Sequence, residues 1–230
     1  MAKTAILVDG GFYRQKFEKG GKHTPKEAAD ALVKYCYWHL KEKHMEHELY
    51  RIFYYDCKPC GKKIFHPLYN RTFDFAKSDH FKWMTQFLKE LTQKRKVALR
   101  IGELDEGSAA YILTNTATKD IVTGKRKVKD LVDGDFTTSI KQKGVDMKIG
   151  MDIASLAYKK QVDQIVLIAG DADFVPAAKL ARREGIDFVL DPLGHAIKDD
   201  LFEHIDGKRS CGDPYTVKKT ETKKEPALAK

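Results

Sequence analysis

The sequence has no run of about 18 uncharged apolar residues, which is the length that a membrane-spanning helix needs. It also lacks a secretory signal at the N-terminus, because the apolar run at residues 5–8 is short and leads straight into a charged turn. Both absences argue against membrane association and export. We therefore expect a cytoplasmic protein.

Cysteine is scarce, with four residues at Cys36, Cys57, Cys60 and Cys211. Without an export signal we expect thiols rather than disulfides. Cys57 and Cys60, with His66 nearby, resemble half of a zinc site. A second pair at motif spacing is missing, and structural zinc needs four ligands. A turn that carries two thiols is the simpler interpretation.

Acidic residues are in the minority, because 33 Asp and Glu stand against 42 Lys and Arg, for a formal net charge of +9. Such an excess favours polyanionic partners such as nucleic acid, although a basic surface alone would also produce it. The length of 230 residues suits one α/β domain. We expect that domain at residues 1–207, followed by a basic, disordered tail at 208–230 that is rich in Lys, Thr and Glu.

Apolar runs typical of buried strands alternate with helix patterns along most of the chain. The alternation predicts an α/β fold with a mostly parallel sheet flanked by helices, plus a β-excursion. Short right-handed crossovers favour a 3-2-1-4-5 order of the main strands. We predict strands at 5–9, 51–56, 97–104, 164–169 and 187–190; helices at 25–44, 79–93, 145–159, 174–184 and 197–204; an irregular loop at 57–78; and the β-excursion at 111–129, with strands at 111–114 and 120–122.

Four aspartates are predicted to meet at one edge of this sheet. Asp9 ends the first strand, Asp171 and Asp173 follow the strand at 164–169, and Asp146 lies in the first turn of a helix whose apolar stripe packs on the sheet. Gathered carboxylates repel one another unless a cation lies between them, and oxygen ligands suit Mg²⁺ or Mn²⁺ rather than zinc. For each acid the simpler alternative is a helix cap or turn, and Asp173 fits an N-cap for the helix at 174.

Other acids and the basic residues have weaker patterns. Asp56 and Asp191 also end strands, and we interpret them as caps or as supports for the site. The cluster Lys125, Arg126 and Lys127, together with Lys143, provides candidate contacts to backbone phosphates, with a solvated hairpin as the alternative. Aromatic residues of the long loop and of the start of the helix after it either stack on unpaired bases or anchor the loop to the core; they are Tyr69, Phe73, Phe75 and Phe81.

Three segments resemble the NYN domain, a branch of the PIN-like nucleases, and in particular its bacterial LabA-like group. They are Asp9-Gly10, the Lys-Gly-Val-Asp segment at 143–146, and the Ala-Gly-Asp-Ala-Asp-Phe segment at 169–174. The resemblance spans residues 4–205. Two serines of the last motif are replaced by Ala169 and Ala172, and an Asn found in many members is missing after Asp9.

This resemblance implies a PIN-like three-layer fold and a metal-dependent ribonuclease. Asp9, Asp146, Asp171 and Asp173 would hold one or two divalent ions, Mg²⁺ or Mn²⁺. RNA would be hydrolysed to leave a 5′-phosphate and a 3′-hydroxyl. The acid that takes the proton from water, single-stranded DNA as a second substrate, and a homodimer all stay open.

Three other functions are alternatives to a ribonuclease. A phosphatase of the haloacid dehalogenase type needs a second acid two residues after the first, where this chain has Gly11. A catalytically silent nucleic-acid-binding or regulatory protein would use the same groove, so the residues do not separate it from an enzyme. A scaffold that binds partner proteins through the long loop and the tail is the third alternative.

Overall fold

The computed structural model describes residues 1–18, 22–42 and 45–216. It confirms the predicted α/β fold. The helices are α1 (Gly10–Phe17), α2 (Pro25–Trp38), α3 (Asp79–Thr92), α4 (Asn115–Val122), α5 (Val145–Tyr158), α6 (Val175–Arg183) and α7 (Asp199–Glu203). The strands are β1 (Ala2–Asp9), β2 (Lys41–Glu42), β3 (Met45–Cys57), β4 (Lys63–His66), β5 (Arg71–Asp74), β6 (Val97–Leu113), β7 (Phe136–Lys143), β8 (Gln164–Ile168), β9 (Asp187–Asp191) and β10 (Gly207–Lys208).

The central sheet has the order β10-β9-β8-β1-β3-β6-β7, with β2 paired beside β3. β1 is parallel to both β3 and β8, and the β3–β6 and β8–β9 pairs are parallel as well. The predicted 3-2-1-4-5 order is therefore confirmed by β6, β3, β1, β8 and β9. In the register, Val8 lies between Tyr54 of β3 and Ile168 of β8. The strand order reverses between β1 and β8, where ligands bind in open α/β sheets.

Two hydrophobic cores cover the two faces of the sheet. Ala5 and Leu7 of β1 point into a core shared with α5 and α6, whereas Ile6 and Val8 point into a core shared with α1, α2 and α3. A strand that is buried on both faces reads as an unbroken apolar run, which is why this strand was easy to predict. The result is three layers, with the sheet in the middle.

The starts of two early helices have clear local causes. α2 begins with the predicted capping box, in which Thr24 and Glu27 bond to each other's backbone N–H and Pro25 is the first helical residue. It ends at Trp38 rather than near residue 44, and residues 43–44 lie outside the described chain. α1 was not predicted. It begins because the Asp9 side chain accepts a hydrogen bond from the Phe12 N–H at 3.1 Å.

The β-excursion is confirmed, although this segment and the loop at 57–78 differ in detail from the prediction. β6 continues beyond the parallel sheet and pairs with β7 in antiparallel register from Glu103–Lys143 to Leu113–Phe136. Residues 120–122, predicted as a strand, belong to α4, because Thr114 caps that helix by accepting from the Ala117 N–H. The 57–78 segment, predicted to be irregular, contains the β4–β5 hairpin. Because residues 120–122 belong to α4, the basic cluster at 125–127 follows a helix and does not lie at the tip of a hairpin.

Aromatic rings hold the β4–β5 hairpin against the excursion. His66 is buried, and its ring centroid lies 4.8 Å from that of Tyr69, 4.1 Å from that of Tyr111 and 5.1 Å from that of Phe136. Phe73 lies 5.7 Å from His66 by the same measure. These contacts favour the anchoring alternative for the aromatic residues of this segment.

The domain extends beyond its predicted end at residue 207. Lys208 pairs with β9, and Ser210 Oγ donates to Asp191 Oδ1 at 2.7 Å. The Tyr215 ring stacks on His23 with 3.5 Å between centroids. Residues 208–216 are therefore packed on the domain, which corrects the predicted tail boundary; the prediction for 217–230 lies outside the described residues. All four cysteines are thiols, and none of the described helices is long and apolar enough to cross a membrane.

Candidate active site

Asp9 lies at the carboxyl end of β1, half-buried, and is the N-cap of α1. Burial is the main reason why the pKa of Asp9 rises to about 6. The Phe12 N–H opposes this rise in pKa, and the carboxylates of Asp146 and Asp56 add to it. Asp9 therefore lies within electrostatic reach of Asp146, which is 137 positions away in the sequence.

Asp146 is the second residue of α5, and the helix follows Gly144 in the left-handed region with φ of 79°. Its neighbours Val145 and Ile149 are buried against the sheet, as the predicted stripe required. The pKa of Asp146 is raised by burial, then by the charges of Asp171 and Asp173. Asp146 thus couples electrostatically to the acid after β1 and to both acids after β8.

Asp171 and Asp173 follow β8, and the simpler alternative of a cap applies to Asp171 rather than to Asp173. Asp171 caps the 3-10 turn Ala172–Phe174, because its Oδ1 accepts from the Asp173 N–H at 3.1 Å. The cap that the sequence offers as an alternative role for Asp173 is absent, because α6 begins at Val175 and no side chain caps it. The Asp173 side chain is exposed beside this edge of the sheet.

Close packing explains the glycine of the Ala-Gly-Asp-Ala-Asp-Phe segment. A Cβ on Gly170 would lie 2.5 Å from the nearest carbon of the Phe12 ring. Phe12 also provides the N–H that caps Asp9. The loop after β8 can therefore approach the start of α1 only because residue 170 has no side chain. This close approach brings the loop that carries Asp171 to the start of α1.

The donor set fits a hydrated divalent cation better than a closed cage. Within the described residues no three His, Cys, Asp or Glu side chains converge tightly enough to hold a metal ion. Mg²⁺ usually keeps several waters and binds through one or two carboxylates, so a loose group of acids is compatible with it. A cation would also offset the repulsion that, after burial, contributes to the raised pKa values of Asp9 and Asp146. All four side chains offer oxygen, the ligand atom that Mg²⁺ and Mn²⁺ favour.

Asp56 lies beside this group but is occupied by donors. Its side chain is 2% exposed and accepts from Tyr54 Oη at 2.9 Å and from the Cys57 N–H at 2.8 Å. Arg14 adds two hydrogen bonds, from Nε at 3.0 Å and from Nη2 at 3.1 Å. Asp56 is therefore a supporting residue, as expected. The sequence does not predict this role of Arg14, since its partner Asp56 lies on β3, far away in the sequence.

Two of the four predicted phosphate contacts, Lys143 and Arg126, already bond to residues of this chain. Lys143 Nζ lies 2.8 Å from Asp105 Oδ2, and this contact is the main cause that lowers the pKa of Asp105. Arg126 donates to Asp135 Oδ1 and to the Asp130 carbonyl, each at 2.7 Å, so it ties its own loop together. The two remaining lysines are exposed; they are Lys125 and Lys127.

A groove of about 1,230 Å³ opens next to the acidic edge. Its walls come from α1, the first turns of α3, the loop after β8 and the loop after β9. Phe12, Trp83 and His195 provide rings, and Arg14 and His80 lie between them. The sequence gives no role to His195, Trp83 or His80, because α1, α3 and the loop after β9 come together only in the folded chain.

The architecture and its acidic edge define the class of protein, an α/β domain of the PIN-like type. The family model of the NYN domain matches residues 72–196, which is more than half of the chain. The chain therefore belongs to the NYN domain family, a PIN-like nuclease family. The match includes the segments with Asp146, Asp171 and Asp173, and it begins after the strand that carries Asp9.

The other comparisons add little to this assignment. A crystal structure of a protein of unknown function from Vibrio parahaemolyticus is similar over 93% of this chain and 94% of its own, with 14% identity and a TM-score of 0.45. A likeness at that level supports no functional conclusion. No curated protein matches the sequence.

Proposed function

We propose that this NYN domain is a metal-dependent ribonuclease that hydrolyses RNA phosphodiester bonds at the acidic edge of its sheet. The observation that carries the proposal is the electrostatic coupling of acids from three distant segments, which adds to burial in raising the pKa values of Asp9 and Asp146. Perturbed acids that share a concave edge are typical of functional sites. The bacterial LabA-like subgroup and a cytoplasmic location stay predictions.

Backbone hydrogen bonds orient two of the four carboxylates. Asp9 and Asp171 each have one oxygen held by a backbone N–H, which fixes the direction of the other. Together with Asp146 and Asp173 they would hold Mg²⁺ or Mn²⁺. When bound, the ion supplies charge stabilisation at the phosphate and lowers the pKa of a water ligand. One of the four carboxylates would accept the proton of the attacking water.

The positive charge of the chain supports an RNA substrate. A net charge of +9 raises the local concentration of a polyanion and speeds its association. Lys125, Arg126, Lys127 and Lys143 are the candidate phosphate contacts. Arg126 would act mainly by holding its loop, given its bonds to Asp135 and Asp130.

The direct test is cleavage of an end-labelled, unstructured RNA with Mg²⁺ or Mn²⁺ and with EDTA. We expect cleavage only with metal, and a loss of about 10²-fold or more in rate for Asp9→Asn, Asp146→Asn and Asp171→Asn, since each removes charge from the reacting centre. Asp187→Asn is the matched control, because Asp187 begins β9 at the opposite edge of the sheet. Product ends should be a 5′-phosphate and a 3′-hydroxyl, and a matched DNA strand tests the sugar requirement.

A second candidate is a nucleic-acid-binding protein that does not turn over its ligand. It is favoured by the capping roles of Asp9 and Asp171 and by the lack of three converging metal ligands among the described residues. Normal RNA binding without cleavage under either metal would support this candidate and contradict the ribonuclease. A homodimer would appear in the same preparations as a doubled mass by light scattering.

A further inference from the structure

The groove beside the acidic edge contains an arginine whose orientation is fixed from behind. Arg14 lies on α1, two residues after Phe12, and its side chain is 19% exposed. Asp56, behind it, is 2% exposed and receives bonds from Arg14, Tyr54 and the Cys57 N–H. A guanidinium has five N–H donors, and Asp56 engages Nε and Nη2. The remaining donors can bind a second anion.

The charge of Arg14 reaches the groove despite its pairing with Asp56. His80 faces the same part of the groove, and its pKa is lowered first by burial and then by the charge of Arg14. Asp56 acts in the opposite direction on the pKa of His80, with a smaller effect. At His80, therefore, the partly buried Arg14 has a larger effect than the buried Asp56.

The carboxylates that line the groove are already engaged by other groups. Glu18 is 4% exposed, its Oε2 lies 3.3 Å from His23 Nδ1, and it accepts from the Tyr215 hydroxyl. Asp79 Oδ1 lies 3.6 Å from Lys82 Nζ. Glu18 therefore has partners of its own, and Asp79 is fully exposed, so that water screens its charge from Arg14.

Aromatic rings flank this cation. The centroids of Phe12 and His195 are 5.5 Å apart, and both rings line the groove. Trp83 is held in place because its Nε1 donates to the His23 carbonyl at 2.8 Å and its ring stacks on Phe87. A groove that combines a cation with fixed rings suits an unpaired strand, whose phosphates and exposed base faces it can bind together. A duplex keeps its base faces stacked inside.

We propose that Arg14, positioned by Asp56, binds a backbone phosphate of single-stranded nucleic acid in this groove, adjacent to the phosphate at the acidic edge. The proposal rests on the ribonuclease function for the identity of that neighbouring phosphate. The planar fork of Arg suits both partners at once, because it can bond a carboxylate on one side and a phosphate on another. Asp56 is a positioning residue and does not touch the strand.

Binding is tested without cleavage, by fluorescence anisotropy of a labelled, unstructured RNA oligonucleotide in EDTA. Arg14→Gln should weaken binding about tenfold or more, as expected for the loss of a charge-assisted hydrogen bond. The slope of log Kd against log salt should fall by about 0.7, the value for one phosphate contact on a single strand. Arg14→Lys should fall between, since it keeps the charge and loses the fork.

Arg95→Gln is the matched control, because Arg95 is exposed at the opposite edge of the sheet, just before β6. Arg14→Gln leaves Asp56 buried without its cation and can fail to fold. The double variant Arg14→Gln/Asp56→Asn removes both charges and keeps a hydrogen-bonding side chain next to Tyr54. A thermal melt verifies the folding of each variant before binding is measured.

Trp83 gives a second measurement. In a Trp38→Phe background it is the single tryptophan of the chain, and its fluorescence should change when the single strand binds. The same strand annealed to its complement should bind more weakly and leave the signal unchanged. An equal response to single strand and duplex would overturn the proposal.

Other outcomes are equally decisive. Binding by folded Arg14→Gln/Asp56→Asn that equals that of Arg95→Gln would overturn the proposal, and so would weaker binding with an unchanged salt slope, which indicates a structural role. The ribonuclease function stands or falls separately. If Arg14 variants lose binding while the wild type never cleaves, the phosphate contact holds and the enzyme fails; if Asp9→Asn abolishes cleavage while Arg14 variants bind normally, the reverse is true.

Discussion

The aspartates at one edge of this sheet form two groups with opposite environments. Asp191 at the end of β9 is fully buried and accepts four hydrogen bonds. The donors are the Tyr35 hydroxyl at 2.6 Å, His39 Nε2 at 2.9 Å, the Leu193 N–H at 2.8 Å and Ser210 Oγ at 2.7 Å. Asp56 at the end of β3 is bonded in the same way.

The other group has few donors and shares the same edge. Asp9 and Asp171 each accept a backbone hydrogen bond, from Phe12 and Asp173, and the pKa of Asp146 is raised by burial and then by its acidic neighbours. The comparison shows that position after a strand does not assign a role to an aspartate. The number of hydrogen-bond donors around the aspartate assigns its role. A carboxylate that is saturated by donors supports the fold, whereas a carboxylate that is surrounded by other carboxylates needs a cation.

The largest expected effect is on the saturated group. Asp191→Ala should lower the free energy of unfolding by about 3–5 kcal/mol, since buried donors of Tyr35, His39 and Ser210 would lose their acceptor together. Urea unfolding followed by circular dichroism measures this change. Asp171→Ala is the matched variant and should cost at most about 1 kcal/mol, the usual value for a helix cap. Equal losses in the two variants would remove the distinction between the groups.

The next effect concerns the approach of α1 to Asp56. A Cβ on Gly10 would lie 2.5 Å from Tyr54 Oη and 2.6 Å from Asp56 Oδ2. Gly10→Ala should therefore lower the free energy of unfolding by about 1–3 kcal/mol, as overpacking does in a core. Gly134→Ala is the control, because a Cβ there meets nothing within 4 Å. Thermal melts of both variants measure the difference, and an unaffected Gly10→Ala would contradict the packing.

The smallest effect has the opposite sign and tests the unsaturated group. The pKa of Asp9 is about 6 in the folded chain, above its ordinary value, so the folded state binds more protons between about pH 4 and pH 6. Stability is lost as pH rises through that window. Asp9→Asn avoids the loss and keeps an oxygen for the Phe12 N–H, so metal-free protein should gain about 1–2 kcal/mol at neutral pH.

That gain should disappear below about pH 4, where Asp9 is protonated in both states. Urea titrations in EDTA across this pH range measure it. Adding Mn²⁺ should stabilise the wild type and not Asp9→Asn, because only the former keeps the charge that the ion offsets. A destabilised Asp9→Asn at neutral pH would show that capping outweighs repulsion.

Much of the fold was predictable because its signals are local. The apolar runs of β1 and β8, the capping box of α2 and the apolar stripe of α5 each lie within a few residues of one another. Short crossovers then limited the strand order. α1 and α4 were missed or misread because their caps, Asp9 and Thr114, look like ordinary strand-end residues until the backbone turns.

The candidate site was less predictable than the fold. The four acids were identified by their motifs, yet Asp171 rather than Asp173 serves as the cap, and Lys143 bonds to Asp105. These outcomes depend on which donor or cation comes within about 3 Å, a distance set by loop geometry. Arg14 and Trp83 were missed for the same reason.

By itself the sequence determined the alternation of strands and helices, the order of the main strands and the acidic motifs, since hydrophobic periodicity and crossover handedness act over short stretches. Tertiary structure alone decided which carboxylates are saturated by donors and which are left to repel one another. The pKa of an acid depends on burial and on charges brought from distant segments, and those neighbours exist only once the chain has folded.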